Sequence, residues 1–310
     1  MRILVLGAGG VGGYFGGRLA EGGANVTFLV RPRRRAQLAE KGLLIESGFG
    51  DLSLPVKTIG AGEIESPYDL VLLSCKAYDL GDAMDAIAPA IGPDSMVLPV
   101  INGLRQVELL QERFGENNVF GGVCYAGASL DPDTGVITHF GGFHRIPFGE
   151  LDGSMTPRAE AVAALGGQVK FDFELRTDIM QAMWDKFAGQ GTLSSANILT
   201  RSVVGDITKA PSGRAFLGAV LAEGGAVGAA WGHPMSVETV NFYESLFDTP
   251  DSPFATSMLR DVEDGKPTEG DHIVGDLVRR AAEKGIDVPI LRCANTALQT
   301  YEAKRCAAAG

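Results

Sequence analysis

Three glycines near the N-terminus have the spacing of a dinucleotide-binding turn. They lie between an apolar run and a helical pattern over residues 14–21, in the segment Gly7-Ala8-Gly9-Gly10-Val11-Gly12. The first glycine permits a tight turn, the second lets the backbone approach a pyrophosphate, and the third lets the helix pack close to the strand. Unpaired N–H groups at the start of the helix attract the anion. We therefore predict that this whole segment binds a dinucleotide cofactor.

The residues after the second predicted strand, 25–30, indicate which dinucleotide is bound. An NAD enzyme carries an acidic residue there, which accepts a hydrogen bond from the ribose 2′-hydroxyl. This chain instead has Arg31, followed by Arg33, Arg34 and Arg35. A guanidinium group binds a phosphate through paired, charge-assisted hydrogen bonds, whereas a carboxylate would repel it. We predict NADP as the cofactor with Arg31 at its 2′-phosphate, although a solvated helix start also explains some of these arginines.

Two more polar residues follow predicted strands. Lys76 comes after an apolar run over residues 69–75, and Asn102 comes after another over 95–101. Ligands of parallel sheets bind beyond the carboxyl ends of the strands. A lysine there offers a cation to a phosphate or carboxylate, and an asparagine offers both a donor and an acceptor. A solvated lysine and a turn residue before Gly103 remain the structural alternatives.

Lys186 is the candidate proton donor of the second half. It lies beside the apolar side of a predicted helix that carries Met180, Met183, Trp184 and Phe187. Carbonyl reduction needs a proton at the oxygen, and a partly dehydrated lysine has a lowered pKa that suits it to this task. The alternative is a lysine whose stem packs on apolar surface while its ammonium group stays in water.

Glu269 follows Thr268 at the start of a helical pattern over residues 268–284. Thr268 is a suitable capping residue, and an acidic residue in the first turn interacts favourably with the helix dipole. Taken alone, this position is explained by helix capping.

Alternating strand and helix patterns in the first half predict an α/β fold with a doubly wound, Rossmann-type parallel sheet. Strand patterns nearly vanish after residue 177, and helical patterns continue to the C-terminus. We therefore predict an NADP-binding domain over residues 1–177 and an all-helical domain for substrate binding and dimerisation over residues 178–310. The active site is expected in the cleft between them.

Composition excludes several classes of function. The 310 residues carry a net charge of −11, which argues against nucleic acid and anionic membranes as partners. No apolar run approaches the ~18 residues of a transmembrane helix, and a strand at the N-terminus leaves no room for a signal peptide. The 4 cysteines are scattered, so neither a metal site nor a disulfide framework is expected. A reducing cytoplasm fits this pattern.

Together these motifs resemble those of the ketopantoate reductase (2-dehydropantoate 2-reductase) family, and the resemblance extends over essentially the whole chain. It rests on the glycine motif and on Arg31, Lys76-Ala77, Asn102-Gly103, Trp184-Asp185-Lys186, Ser257-Met258-Leu259-Arg260-Asp261 and Pro267-Thr268-Glu269. It implies NADPH-dependent reduction of ketopantoate to pantoate, on the route to pantothenate and coenzyme A.

The resemblance also implies roles for single residues. Lys186 is implied as the proton-donating lysine, and Glu269 as the glutamate that supports cofactor binding and catalytic geometry. Asn102 is implied to contact both cofactor and substrate, and Ser257 to bind the substrate. Gly127 falls near a backbone contact to the cofactor.

Four positions depart from the family pattern. The asparagines expected four and eight residues after the lysine are Gln190 and Ser194 here, and we predict that these two bind the substrate instead. A third asparagine is replaced by Val204, and Phe254 stands where another polar residue is common. A pocket built to bond hydroxyl groups discriminates strongly against their absence. Ketopantoate is therefore the leading substrate, and a branched or more apolar 2-oxo acid is the alternative.

Two other classes of protein remain as alternatives. A non-catalytic NADP-binding sensor would not need Lys186 and Glu269 together. An opine- or 3-hydroxyacid-type dehydrogenase would need a catalytic histidine or a different lysine and asparagine spacing. Apolar helices in the second half make a homodimer possible.

Overall fold

The computed structural model describes residues 1–309 and contains two compact units. The N-terminal unit consists of Met1–Asn102 and Gln106–Met180. The helical unit consists of Gly103–Arg105 and the residues from Gln181 on. No helix of the described residues is both long and apolar enough to cross a membrane.

All strands of the described residues belong to the N-terminal unit. They are β1 (Arg2–Leu6), β2 (Asn25–Leu29), β3 (Leu43–Ser47), β4 (Leu52–Leu54), β5 (Lys57–Ile59), β6 (Leu70–Leu73), β7 (Met96–Pro99), β8 (Phe120–Gly122), β9 (Tyr125–Leu130), β10 (Val136–Glu150) and β11 (Asp172–Leu175). The first sheet has the order β5-β2-β1-β6-β7, and its paired strands are parallel. The predicted Rossmann-type parallel sheet is therefore confirmed.

Continuous apolar runs explain the centre of this sheet. Ile3, Leu4 and Val5 of β1 are fully buried, as expected for a strand that is covered on both faces. β6 is shorter than the predicted run over 69–75. β7 ends at Pro99, because proline lacks the N–H group that would continue the ladder.

The later strands form a second, mixed sheet with the order β11-β10-β3-β4, in which β8 and β9 also pair with β10. The sequence patterns predicted only the parallel sheet and did not predict this second one. β9 and β10 are joined by the short turn over residues 131–135, and a connection of that length requires antiparallel pairing. The short strands β3, β4, β5 and β11 were not predicted, because their alternation is weak.

Five helices accompany these sheets: α1 (Gly10–Glu21), α2 (Pro32–Lys41), α3 (Leu80–Ile87), α4 (Arg105–Phe114) and α5 (Pro157–Ala163). Glycines on α1 let it lie close to both sheets. A Cβ atom on Gly16 would stand 2.7 Å from the Phe28 ring, and one on Gly17 would stand 2.6 Å from Leu43. Larger residues would therefore push α1 away from the sheets.

The described part of the helical unit contains α6 (Ile179–Thr200), α7 (Val204–Lys209), α8 (Gly213–Ala230), α9 (Val237–Asp248), α10 (Ser257–Glu263), α11 (Asp276–Glu283) and α12 (Pro289–Ala309). α6 continues through Gly189 and Gly191, which are buried and tolerated within it. The helix predicted over 268–284 is interrupted by a π-helical turn, Asp271–Gly275, before α11.

Candidate active site

Gly7 makes the turn that ends β1. Its φ angle is +85°, a left-handed conformation that favours glycine over other residues. Its N–H group donates to the carbonyl oxygen of Leu29 at 2.9 Å, which fixes the turn to the end of β2. The sequence motif therefore has the strand–turn–helix context that a dinucleotide-binding segment requires.

Of the other motif glycines, Gly10 and Gly12 are packed against neighbouring atoms, whereas Gly9 is not. A Cβ atom on Gly12 would overlap the Ser74 hydroxyl, and one on Gly10 would overlap the carbonyl oxygen of Ala128. A Cβ atom on Gly9 would meet no atom within 4 Å. The backbone at Gly9 is thus accessible at the N-terminus of α1, where N–H groups favour an anion. This surface fits a pyrophosphate.

The three arginines on α2 have partners within the N-terminal unit. Arg34 is buried, and its Nε and Nη1 atoms each donate at 2.9 Å, to the carbonyl oxygens of Ala8 and Gly135 respectively. Burial lowers the pKa of Arg34. Arg33 pairs with Asp133 at 3.0 Å, and Arg35 pairs with Glu63 at 2.6 Å.

These three contacts are structural. The Arg34 contact ties α2 to the glycine segment. The contacts of the other two arginines hold α2 against neighbouring loops of the same unit.

Arg31 is the most exposed arginine of this group. Its side chain is 79% exposed, and its Nη2 atom lies 3.5 Å from Oδ2 of Asp79. Its backbone precedes the first residue of α2, Pro32. Arg31 is therefore accessible to an anion beside the end of β2.

Lys76 and Asn102 stand at equivalent places in the sheet. Each lies three residues beyond the end of its strand, where Leu73 of β6 pairs with Pro99 of β7. The prediction that they directly follow the strands is wrong in detail, because both strands end early. Gln106 donates to the carbonyl oxygen of Ile101 at 3.1 Å and so holds the segment that carries Asn102.

Gly127 has a packing reason to be glycine. It pairs with Phe140 across β9 and β10, and a Cβ atom there would stand 2.6 Å from the Phe140 ring. A cofactor contact through its backbone stays a prediction.

Lys186, Gln190 and Ser194 follow one another at intervals of four residues, so they share one face of α6. Between residues 183 and 198, Lys186 and Gln190 alone are half-buried, and the rest of the stretch is buried. Ser194 is fully buried, and its hydroxyl has no hydrogen-bond partner among the described residues. We call this set the polar face of α6.

Two neighbours of Lys186 fix the helix around it. Asp185 accepts hydrogen bonds from the N–H group of Ser236 at 2.8 Å and from the Gln181 amide at 3.2 Å. Trp184 stacks on His233, with ring centroids 5.5 Å apart. The position of Lys186 is thus set by contacts that its neighbours on α6 make with the segment over residues 233–236, and the sequence did not indicate them.

Asn197 extends the polar face and joins it to the segment that carries Ser257. It is fully buried. Its Oδ1 atom accepts from the N–H group of Thr256 at 3.0 Å, and its Nδ2 atom donates to Ser202 at 2.8 Å. The Thr256 hydroxyl is buried without a partner among the described residues. Asn197 follows Lys186 by 11 residues, which places both side chains on the same face of α6. This spacing is the sequence feature that could have identified Asn197 as part of the site.

Glu269 is held through its neighbour. The N–H group and hydroxyl of Thr268 donate to one carboxylate oxygen of Glu302, at 2.7 and 2.8 Å. The Thr268 hydroxyl also accepts from Gly270 at 3.3 Å, which agrees with the expected capping role. Glu269 is 6% exposed and directly precedes the first helical residue. The prediction that it lies in the first turn is therefore wrong, because the helix begins at Gly270.

Val204 and Phe254, the two apolar residues that depart from the family pattern, are joined by a backbone hydrogen bond. The N–H group of Val204 donates to the carbonyl oxygen of Phe254 at 3.0 Å. Val204 is fully buried, whereas Phe254 is 40% exposed. The Phe254 ring lies 6.4 Å from that of Phe242, which is also exposed. This part of the helical unit is therefore aromatic and accessible.

The described residues contain no group of three or more histidine, cysteine or acidic side chains that could hold a metal ion. The site residues accordingly fall into two sets. The glycine segment, Arg31, Lys76 and Asn102 belong to the N-terminal unit, and the polar face of α6, Ser257 and Glu269 belong to the helical unit.

Comparison with known proteins assigns the chain to a family. The model described as "Ketopantoate reductase PanE/ApbA" matches residues 3–153, and the model of the C-terminal part of that family matches residues 178–302. The uncharacterized oxidoreductase YkpB of Bacillus subtilis is 36% identical over 308 residues, which cover 98% of this chain and 100% of YkpB.

Similar proteins include named 2-dehydropantoate 2-reductases. The protein of that name from Mesorhizobium japonicum is 28% identical over 296 residues, which cover 88% of this chain and 89% of the relative. The crystal structure of the one from Geobacter metallireducens GS-15 is 28% identical, covers 97% of this chain and 99% of its own, and superposes with a TM-score of 0.86.

This chain belongs to the ketopantoate reductase family, as its motifs predicted. It is an oxidoreductase that reduces a 2-oxo acid with a nicotinamide dinucleotide.

Proposed function

We propose that this protein reduces ketopantoate to pantoate with NADPH, as a step towards pantothenate and coenzyme A. The observation that carries the proposal is the polar face of α6, where Lys186 and Gln190 interrupt an otherwise buried stretch. A half-buried lysine in line with an amide and a hydroxyl group suits binding and protonation of a small polar substrate. Membership of the family supports the same activity.

The N-terminal unit binds the nucleotide in this proposal. The segment Gly7 to Gly12 holds the pyrophosphate, since the surface at Gly9 is open at the start of α1. Arg31 binds the 2′-phosphate, which makes NADPH the preferred cofactor. Lys76 and Asn102 contact the cofactor beyond the ends of β6 and β7. Bound NADPH supplies the hydride that the carbonyl carbon accepts.

The helical unit supplies the proton and the substrate contacts. Lys186 donates a proton to the carbonyl oxygen, so that the oxo group becomes a hydroxyl group. Gln190, Ser194 and Ser257 bind the substrate, together with Asn102. The Ser194 hydroxyl is suited to this role, because a buried group without a partner among the described residues gains most from a polar ligand atom. Glu269 supports the cofactor and the orientation of the reacting groups.

A second candidate is the reduction of a more apolar 2-oxo acid. Phe254 favours it, because its exposed ring offers apolar surface where a polar residue is common in the family pattern. Val204 is fully buried and likewise lacks the polar group of the asparagine it replaces. The neighbouring exposed ring of Phe242 enlarges that surface. A branched or aromatic side chain would bury apolar area against these residues, at about 25 cal/mol per Å².

The test is steady-state NADPH oxidation with ketopantoate and a panel of branched and aromatic 2-oxo acids. We expect kcat/KM to be highest for ketopantoate. A higher kcat/KM for a more apolar 2-oxo acid would favour the second candidate function over reduction of ketopantoate. Tight NADPH binding with no turnover of any 2-oxo acid would favour a nucleotide sensor. The homodimer stays a prediction, which sedimentation velocity can check.

A further inference from the structure

Arg31 has an acidic neighbour that the nucleotide-binding motif does not predict. β2 and β6 lie on either side of β1, so the segments that follow them meet at one edge of the parallel sheet. Asp79 ends the 3-10 turn after β6, Ala77–Asp79, directly before α3. Its Oδ2 atom lies 3.5 Å from Nη2 of Arg31.

This ion pair differs from those of the neighbouring arginines. Arg34 is buried against backbone carbonyls, and Arg33 and Arg35 pair with acids on other loops. Arg31 is the arginine of this group proposed to bind the 2′-phosphate, and its ion-pair partner is Asp79. The carboxylate is 37% exposed, so both members of the pair are accessible to a nucleotide.

We propose that Asp79 competes with the 2′-phosphate of NADPH for Arg31 and thereby sets how strongly the protein prefers NADPH over NADH. The inference rests on the proposed function, in which Arg31 binds that phosphate. When the phosphate binds, Asp79 loses its guanidinium partner and faces a group of like charge. NADH carries no phosphate there and meets no such repulsion, and a carboxylate can accept a hydrogen bond from its ribose 2′-hydroxyl.

The expected effect is modest, because both charged groups are in contact with water. Exposed charges about 4 Å apart interact weakly, and salt screens them further. Removing the Asp79 charge should therefore tighten NADPH binding by about threefold to tenfold. It should not create a new binding site.

The experiment measures the dissociation constants of NADPH and NADH by calorimetry on the full chain, with the Asp79→Asn variant. Asparagine keeps the size of the side chain, and Asp79 makes no side-chain capping bond to α3. We expect a lower Kd for NADPH and little change for NADH, so that the ratio of the two constants rises. The NADPH gain should shrink at ~0.5 M salt, where the Debye length is only a few ångströms.

Asp82→Asn is the matched control. Asp82 is exposed on α3, one turn beyond Asp79, and its substitution changes the net charge by the same amount. We expect this control to leave the ratio of the two constants at its wild-type value. An equal rise with both substitutions would overturn the proposal, because it would report only the overall charge. An unchanged ratio in Asp79→Asn would also overturn it.

A second variant tests whether the effect passes through Arg31. In an Arg31→Ala background, Asp79→Asn should tighten NADPH binding less than it does in the wild type, because the competition is gone. An undiminished gain there would refute competition for Arg31. Failure of the proposed function has a different signature, since the wild-type protein would then bind neither nucleotide or would reduce no 2-oxo acid.

Discussion

The glycine segment of the N-terminal unit and the polar face of α6 are built in opposite ways. The glycine segment is six consecutive residues, and its turn and packing are explained by contacts with adjacent strands. The polar face draws residues from four successive turns of one helix and joins them through Asn197 to Thr256, 59 positions away. The segment proposed to bind the nucleotide is therefore continuous in the chain, whereas the face proposed to bind the substrate depends on contacts between distant segments.

The largest effect is expected at the polar face. Replacing Lys186 by alanine should lower kcat by roughly 10²- to 10⁴-fold, the usual contribution of a general acid. NADPH affinity should barely change, because in the proposed function the glycine segment binds the pyrophosphate. Paired measurements of kcat and melting temperature check this, with Lys209→Ala as an exposed control. A folded Lys186→Ala variant with near-normal turnover would remove Lys186 from the mechanism.

The proposed nucleotide site of the N-terminal unit is tested at Arg31. Arg31→Ala should raise the KM for NADPH about tenfold to a hundredfold, the value of one charge-assisted contact, and should change the KM for NADH little. Arg33→Ala serves as the control, because that side chain is also exposed and ion-paired but lies on α2 and contacts Asp133 between β9 and β10. A wild-type protein that prefers NADH would contradict the cofactor assignment.

Adjacent serines on α6 allow a matched comparison within the polar face. Ser194 and Ser195 are both fully buried, but only the Ser195 hydroxyl has a described partner, the carbonyl oxygen of Gly191 at 2.8 Å. Ser194→Ala should raise the substrate KM several-fold and leave the unfolding free energy unchanged or slightly higher. Ser195→Ala should instead lower the unfolding free energy by about 0.5–1.5 kcal/mol and leave KM near its wild-type value.

Denaturant unfolding and substrate titration of both serine variants check this prediction. Equal effects of the two substitutions on KM would mean that Ser194 has no special role in binding.

The smallest expected effect is the pH dependence of the unfolding free energy, to which one histidine in each unit should contribute. Burial lowers the pKa of His144 in the N-terminal unit and of His272 in the helical unit. The unfolded chain therefore binds protons that the folded chain does not as the pH falls below about 6.5, and the unfolding free energy should decrease there. The unfolding free energy should keep its full value above that pH.

His272→Gln should flatten this pH dependence. The same change at His144 tests whether the N-terminal unit contributes as well. Denaturant unfolding between about pH 5 and pH 8 measures both slopes. A stability profile that stays flat in the wild type would show that these histidines are not held neutral by the fold.

Several features could be predicted because they depend on neighbours in the chain. The turn at Gly7, the strand before it and the helix after it follow from one short segment. The same holds for the arginine after β2 and for the capping role of Thr268. Boundaries were less accurate, since β6 and β7 end before Lys76 and Asn102 are reached.

Other features were decided by the tertiary structure. Nothing near Arg31 in the sequence indicates Asp79, because the two meet only through the pairing of β2 and β6 with β1. Likewise, the sequence spacing of Lys186, Gln190 and Ser194 defines a helical face, but packing of α6 inside its unit decides that only the first two are half-exposed. The sequence by itself determined the turn at Gly7, the longer apolar strands and the helical periodicity. The tertiary structure determined which charges meet and which hydroxyls are left without partners, because those contacts join residues that are far apart in the chain.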